Sequence, residues 1–183
     1  MPSASHWNVD IRLATLDDVP RLLPVMEASI AELQKGFLTP DQIESSRAIM
    51  GLDTQLVEDG TYFMVLEGDE VAGCGGWSRR ATLYGSDSTP GRDAHLLDPA
   101  TEPARVRAMY THPAFARRGV GRSILEACEA AARAEGFTTL ELMGTMSGQP
   151  LYEVYGFVVV EEFVDERGGA PVPLVRMRKP VGG

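Results

Sequence analysis

Residues 109–125 read MYTHPAFARRGVGRSIL, and this stretch decides how the chain is organised. Met109, Tyr110 and Thr111 continue a β-rich run that begins at Arg105, and Pro113 stops it because it has no amide to give a ladder. Two glycines, Gly119 and Gly121, then lie just ahead of a helical pattern. Glycine lets a backbone come close to a ligand, the first amides of a helix point outward unpaired, and the helix dipole favours negative charge there. Arg117, Arg118 and Arg122 add donors suited to phosphate. The segment reads as a cradle for one small polyanion. A dinucleotide fingerprint is disfavoured, because position 124 is Ile where a third small residue is needed and the loop after Pro113 is too long. A P-loop is excluded because no Gly-Lys-Ser/Thr follows.

Working outward, Ile124, Leu125, Cys128, Ala131 and Ala132 form an apolar stripe that predicts a helix ending at Gly136. Strands are predicted at 138–143, 157–164 and 172–177, with a short helix over 150–155 and a turn at 166–169. Upstream, Val9, Ile11 and Leu13 alternate as a strand, and a helix follows to Leu33 with Pro24 expected to kink it. Thr39-Pro40-Asp41-Gln42 opens a second helix as a capping box. Runs at 62–67 and 71–78 form a hairpin through Gly68-Asp69-Glu70. Residues 79–103 carry little periodicity and read either as a binding or lid segment or as a disordered insertion. This order of elements is a mixed α/β layer architecture.

Composition bounds the rest. The chain has 183 residues, 44% hydrophobic, consistent with one domain over 1–183. Its formal charge is −9, which argues against coating nucleic acid. The average conceals a contrast: residues 101–122 hold five Arg and one acid, a local +4 against −13 elsewhere. That acidic remainder would favour approach of a cationic amine. No run approaches a membrane span and the first ten residues lack a leader pattern, so a soluble, cytoplasmic protein is expected. Cys74 and Cys128 read as reduced, buried thiols, and the three histidines show no metal-ligand spacing.

With these residues in view, the chain resembles the GNAT superfamily of acetyl-CoA-dependent N-acetyltransferases. The likeness rests on the Met109–Pro113 strand end, the ARRGVG turn, the helix after it, and Leu151-Tyr152-Glu153-Val154-Tyr155-Gly156-Phe157, similar to that family's xYxxxGF ending. The resemblance implies a single mixed, mostly antiparallel sheet of about seven strands with helices on both faces. It implies that Arg117, Arg118, Gly119, Val120, Gly121 and Arg122 hold the CoA pyrophosphate and that Met109, Tyr110 and Thr111 pair their backbone with the pantetheine arm. Tyr152 would protonate the departing thiolate, with Tyr155 the alternative. The activity implied is acetyl transfer from acetyl-CoA to a primary amine on a small molecule or protein, without a metal and in a possible homodimer. A non-catalytic acyl-CoA sensor is the other class.

The chain departs from that family's pattern at Ala116, at Thr145, and at Arg105, where many members carry a glutamate base. The base is unassigned, with Asp98 and Glu102 the acids nearby. Arg105 and Arg107 alternate onto one strand face and read either as ligands for a carboxylate or phosphate on the acceptor or as part of a salt-bridged sheet face, and Trp77 reads as an acceptor-pocket residue or as buried core.

Overall fold

In chain order the elements are β1 (Val9–Leu13), α1 (Val19–Glu32), α2 (Pro40–Ser46), α3 (Thr54–Glu58), β2 (Tyr62–Glu67), β3 (Glu70–Ser78), β4 (Ala104–Thr111), α4 (Val120–Ala134), β5 (Thr139–Thr145), α5 (Gln149–Tyr155), β6 (Val158–Asp165) and β7 (Val172–Pro180). The computed structural model describes residues 9–182. The seven strands form one sheet in the order β1-β2-β3-β4-β5-β7-β6. Every neighbouring pair is antiparallel except β4 with β5. This is the mixed sheet expected.

Each face of the sheet carries its own core. Beneath α4, the wholly buried Ile124, Leu125, Cys128 and Ala132 pack with Trp77, Leu140, Leu142 and Met177. On the other face Leu22, Val25, Met26 and Ile30 of α1 pack with Tyr62, Met64 and Cys74. Each large apolar side chain so buried contributes roughly 1.5–3 kcal/mol. The α1 helix runs through Pro24, which removes only the bond to the Pro20 carbonyl. The capping box of α2 forms as read: Gln42 N donates to Thr39 Oγ1 at 3.2 Å and Thr39 N to Gln42 Oε1 at 2.9 Å. The α3 helix is absent from the elements the sequence predicts; Asp53 caps it by accepting Gln55 N at 3.1 Å.

Residues 79–103 fold back on themselves rather than forming a disordered insertion. Arg80 and Leu96 form an antiparallel bridge, Thr82 Oγ1 donates to Asp93 O at 2.6 Å, and Leu97 is buried in the core. Thr89 Oγ1 ties the segment to the Ala48 carbonyl at 2.7 Å.

A bulge in β4 positions everything that follows. Cys74 pairs with Tyr110 and Gly76 with Arg107, so Ala108 and Met109 together oppose Gly75. Ala108 sits at φ 50°, a left-handed conformation unusual for alanine, and Tyr62 Oη holds its carbonyl at 2.7 Å. A Cβ at position 75 would collide with Met109 Sδ and stand 3.0 Å from Ile124 Cγ2. Glycine there admits both the bulge and α4. Gly75→Ala is therefore expected to cost about 1–3 kcal/mol, read as a lower urea midpoint at unchanged m-value.

Candidate active site

Strands β4 and β5 pair over only two residues, Ala104 with Leu140 and Arg105 with Glu141. Beyond them the strands part. The fork holds a cavity of about 70 Å³ lined on one side by Arg107 to Tyr110 and on the other by Leu142, Met143, Thr145 and Tyr152. Leu83, Tyr84 and Gly85 from the 79–103 segment close its outer wall, so that segment forms part of the cleft. Among the described residues Arg107 is the sole charged side chain of the lining.

At the far end of β4 the chain turns into α4 through two left-handed residues, Arg117 at φ 63° and Gly119 at φ 80°. Ser123 N is the first helical amide to close, on Gly119 O at 3.0 Å. The amides of Val120, Gly121 and Arg122 before it meet no acceptor among the described residues. Together with the helix dipole they form a concavity whose field favours negative charge. The two glycines differ in what they do. A Cβ at Gly119 would stand in open space, whereas one at Gly121 would lie 2.5 Å from Leu151 Cδ2 on α5. Gly119 supplies a backbone conformation; Gly121 supplies room for helix packing. The Arg118 guanidinium lies 5.6 Å from the Phe115 ring centroid and 3.8 Å from Glu67, and that of Arg122 lies 5.5 Å from the Tyr155 ring and 3.3 Å from Glu126.

Tyr152 and Tyr155 leave α5 in different directions. The Tyr155 hydroxyl donates to Glu129 Oε1 at 2.6 Å, with its ring stacked on Phe157 at 6.2 Å. Tyr152 lines the fork, and its hydroxyl makes no hydrogen bond to a described residue. Its ring fits against Gly148, where a Cβ would stand 2.9 Å from Cε2. Burial pushes the Tyr152 phenol above its ordinary value, with Tyr110 and Cys128 adding to the shift.

Other residues singled out in the sequence lie elsewhere. Trp77 is only 1% exposed, packs edge-on to Phe137 at 5.9 Å, and is not among the residues lining the cleft, so it belongs to the core. Arg105 sits where β4 and β5 still pair. It bonds Glu141 at 2.9 Å, and Glu141 also meets Arg176 at 3.3 Å and Arg178. The salt-bridged sheet face therefore describes Arg105, which is absent from the cleft lining. His112 accepts Ala114 N at 3.0 Å as a turn residue. Asp98 and Glu102 bond one another's segment, Asp98 N donating to Glu102 Oε1 at 2.9 Å, outside the fork. Among the described residues no carboxylate or imidazole lines the cleft.

The described residues contain no cluster of His, Cys, Asp or Glu able to hold a metal, and no helix long and apolar enough to cross a membrane. The model of the acetyltransferase (GNAT) family matches residues 25–157, spanning the hairpin, the bulged strand, the anion cradle and Phe157. The chain belongs to the GNAT family. This GNAT acetyltransferase is 27% identical over 121 residues to the uncharacterized N-acetyltransferase YsnE of Bacillus subtilis (strain 168), covering 63% of this chain and 68% of that one. Its fold is similar to a GCN5-related N-acetyltransferase from Rhodopseudomonas palustris, at TM-score 0.70 and 17% identity over 93% and 94% of the two chains. It is likewise similar to the PaiA N-acetyltransferase of Thermoplasma acidophilum in complex with coenzyme A, at TM-score 0.64 and 15% identity over 94% and 98%.

Two residues important to this acyltransferase's cleft, Tyr62 and Asp53, escaped the sequence. Tyr62 holds the bulge, and Arg107 is anchored by Asp53 at 2.8 Å. Only Asp53 carried a usable signal, since Asp-Thr-Gln-Leu is a helix start. For the two cradle glycines, Gly121→Ala is expected to destabilise by about 1–3 kcal/mol through Leu151, and Gly119→Ala by only the left-handed penalty of about 1–2 kcal/mol. Combining Gly121→Ala with Leu151→Ala separates the cases in urea unfolding: the smaller side chain relieves the clash at 121 and leaves the cost at 119 unchanged.

Proposed function

We propose that the protein moves the acetyl group of acetyl-CoA to a primary amine, on a small molecule or a protein, by direct attack in a ternary complex. Family membership supplies the reaction class. The observation that carries the reading in this chain is the fork of β4 and β5, where a bulged backbone and an unbonded Tyr152 hydroxyl face one cleft. Acetyl-CoA would supply the activated acyl group as a thioester.

The residues fit that substrate. The free amides of Val120, Gly121 and Arg122, with the guanidiniums of Arg117, Arg118 and Arg122, suit a pyrophosphate. The parted edge of Met109, Tyr110 and Thr111 offers ladder groups to the amide-bearing pantetheine arm, in the manner of an added strand. A bulge leaves one residue out of the ladder, and an amide freed between Ala108 and Met109 would stabilise charge developing on the carbonyl oxygen. Tyr152 stays protonated through neutral pH, so the donor form is always present for the leaving sulfur. Its raised pKa favours a strong hydrogen bond to the thiolate over complete transfer. The amine's proton would leave through water, since no carboxylate or imidazole among the described residues lines the cleft.

Cys74 and Cys128, both free and buried, fit a reducing compartment such as the cytoplasm. A homodimer is part of the same proposal, and sedimentation velocity measures it.

Acetyl-CoA at a hundred times its Kd is expected to stabilise the fold by about 2.7 kcal/mol, seen as a raised Tm, and thiol release is expected with at least one primary amine. Tyr152→Phe is expected to lower kcat by roughly a hundredfold or more with the Kd for acetyl-CoA within about twofold. Binding without thiol release across an amine panel would establish the sensor instead; an unimpaired Tyr152→Phe would reassign the proton donor.

A further inference from the structure

Arg107 is held by less than it can bind. Its side chain is 2% exposed, and only Nη2 is engaged, donating to Asp53 Oδ2 at 2.8 Å and to Gly85 O at 2.9 Å. Nε and Nη1 meet no acceptor among the described residues, although a buried guanidinium gains most from a complete set of charged or carbonyl partners. Asp53 is itself divided, because Arg92 approaches the same Oδ2 at 2.8 Å while also lying 3.9 Å from Asp87. The remaining arginine of this region, Arg80, is spent on Asp59 through two bonds of 2.7 and 3.0 Å.

Two cavities meet at Arg107. One is the fork cleft, whose other walls include the apolar Ile49, Met50, Leu83, Met143 and Leu174. The second, of about 220 Å³, lies beneath the 79–103 segment and is bounded by Arg92, Ser78, Thr82 and Thr89 among others. Arg107 is also the residue immediately before the bulge, so an anion on its free donors would be fixed close to the backbone that faces the acetyl group. Since no acid among the described residues lines the cleft, an acceptor with a second cationic group would find no partner among them.

Resting on the acetyltransferase reading, we propose that the acceptor is an amino acid with an apolar side chain, whose carboxylate is bound by the free Nε and Nη1 of Arg107 while its amine reaches the fork. A guanidinium presents parallel donors that match a carboxylate, and the apolar walls take the side chain.

The substrate-side test needs no variant. Thiol release from acetyl-CoA is followed with leucine, methionine and phenylalanine, with the carboxamide of each, and with putrescine. The carboxamides keep the amine and the side chain and lose only the anion. Their amine is also less basic, so more of it is free at neutral pH and the bias runs against the proposal. The acids are expected to exceed their amides in kcat/KM by about 10–100-fold, mainly through a lower KM. Arg107→Met and Arg107→Lys are then expected to bring that ratio to within about twofold and fivefold respectively, because Lys keeps the charge and loses the fork. Amides turned over as well as acids, putrescine preferred, or no thiol release with any of these amines despite acetyl-CoA binding would each overturn the proposal. So would an acid-to-amide ratio unchanged in the Arg107 variants, which would make Arg107 a purely structural residue. Failure of acetyl-CoA to shift the Tm is a separate result, and it would strike the underlying acetyltransferase reading.

Discussion

Two strands that run parallel for two residue pairs and then separate create the cleft on which the proposed function rests. Backbone groups at a parting edge lose their ladder partners, and burying them unpaired is costly, so such an edge persists only where something else fixes the strands on either side. Here the fixing is done at the last point of contact. Glu141 on β5 receives Arg105 from β4 together with Arg176 and Arg178 from β7, binding three strands at the place where two of them diverge. On the opposite side, β3 presents three glycines at 73, 75 and 76, each lying where a Cβ would strike β4, α4 or the start of β2. The fork is thus held by charge on one side and by the absence of side chains on the other.

From this constraint the placement of the functional groups follows. The bulge at Ala108 and Met109 turns the backbone toward the opening, and Tyr62 secures its carbonyl from β2. Because Gly121 lets α5 settle against α4, Tyr152 reaches the fork while Tyr155 is retained by Glu129. The turn at the start of α4 and the cleft are therefore joined by β4 on one side and by α5 on the other. Arg107, just before the bulge, ties the same strand to the cap of α3.

Local signals made most of the fold legible. The capping box at Thr39, the turn at Gly68 and the stripe on α4 all depend on spacing within a few residues, and all appear where the sequence places them. The turn into α4 at Gly119 was legible for the same reason, since its residues are contiguous. What the sequence could not show are relations across long separations. Arg105 and Arg107 look equivalent on one strand, yet one meets Glu141 and the other Asp53, and nothing in their neighbourhood distinguishes them. Trp77 ends a strand either at a pocket or under a helix, and only the position of Phe137 decides. The five-residue α3 is too short for periodicity to mark, and its polar cap was the one available clue.

The strand order also governs when the fold can be completed during synthesis. β7 lies between β5 and β6, so the pairing edge of β5 and the inner edge of β6 both wait for residues 172–180. Until those residues emerge from the ribosome, the nascent chain exposes two bare strand edges, with the Leu140 and Leu142 side chains on one of them. The turn that delivers β7 also docks on α2, where Ser45 Oγ donates to Ala170 O at 2.6 Å and Gln42 Nε2 to Pro171 O at 2.9 Å. An early helix thereby receives the β6–β7 hairpin, and closing that long loop is a contact of high sequence separation that slows folding. The molecule is consequently exposed to misassociation until residues 172–180 have paired, and a chain truncated before Val172 would carry that vulnerability permanently.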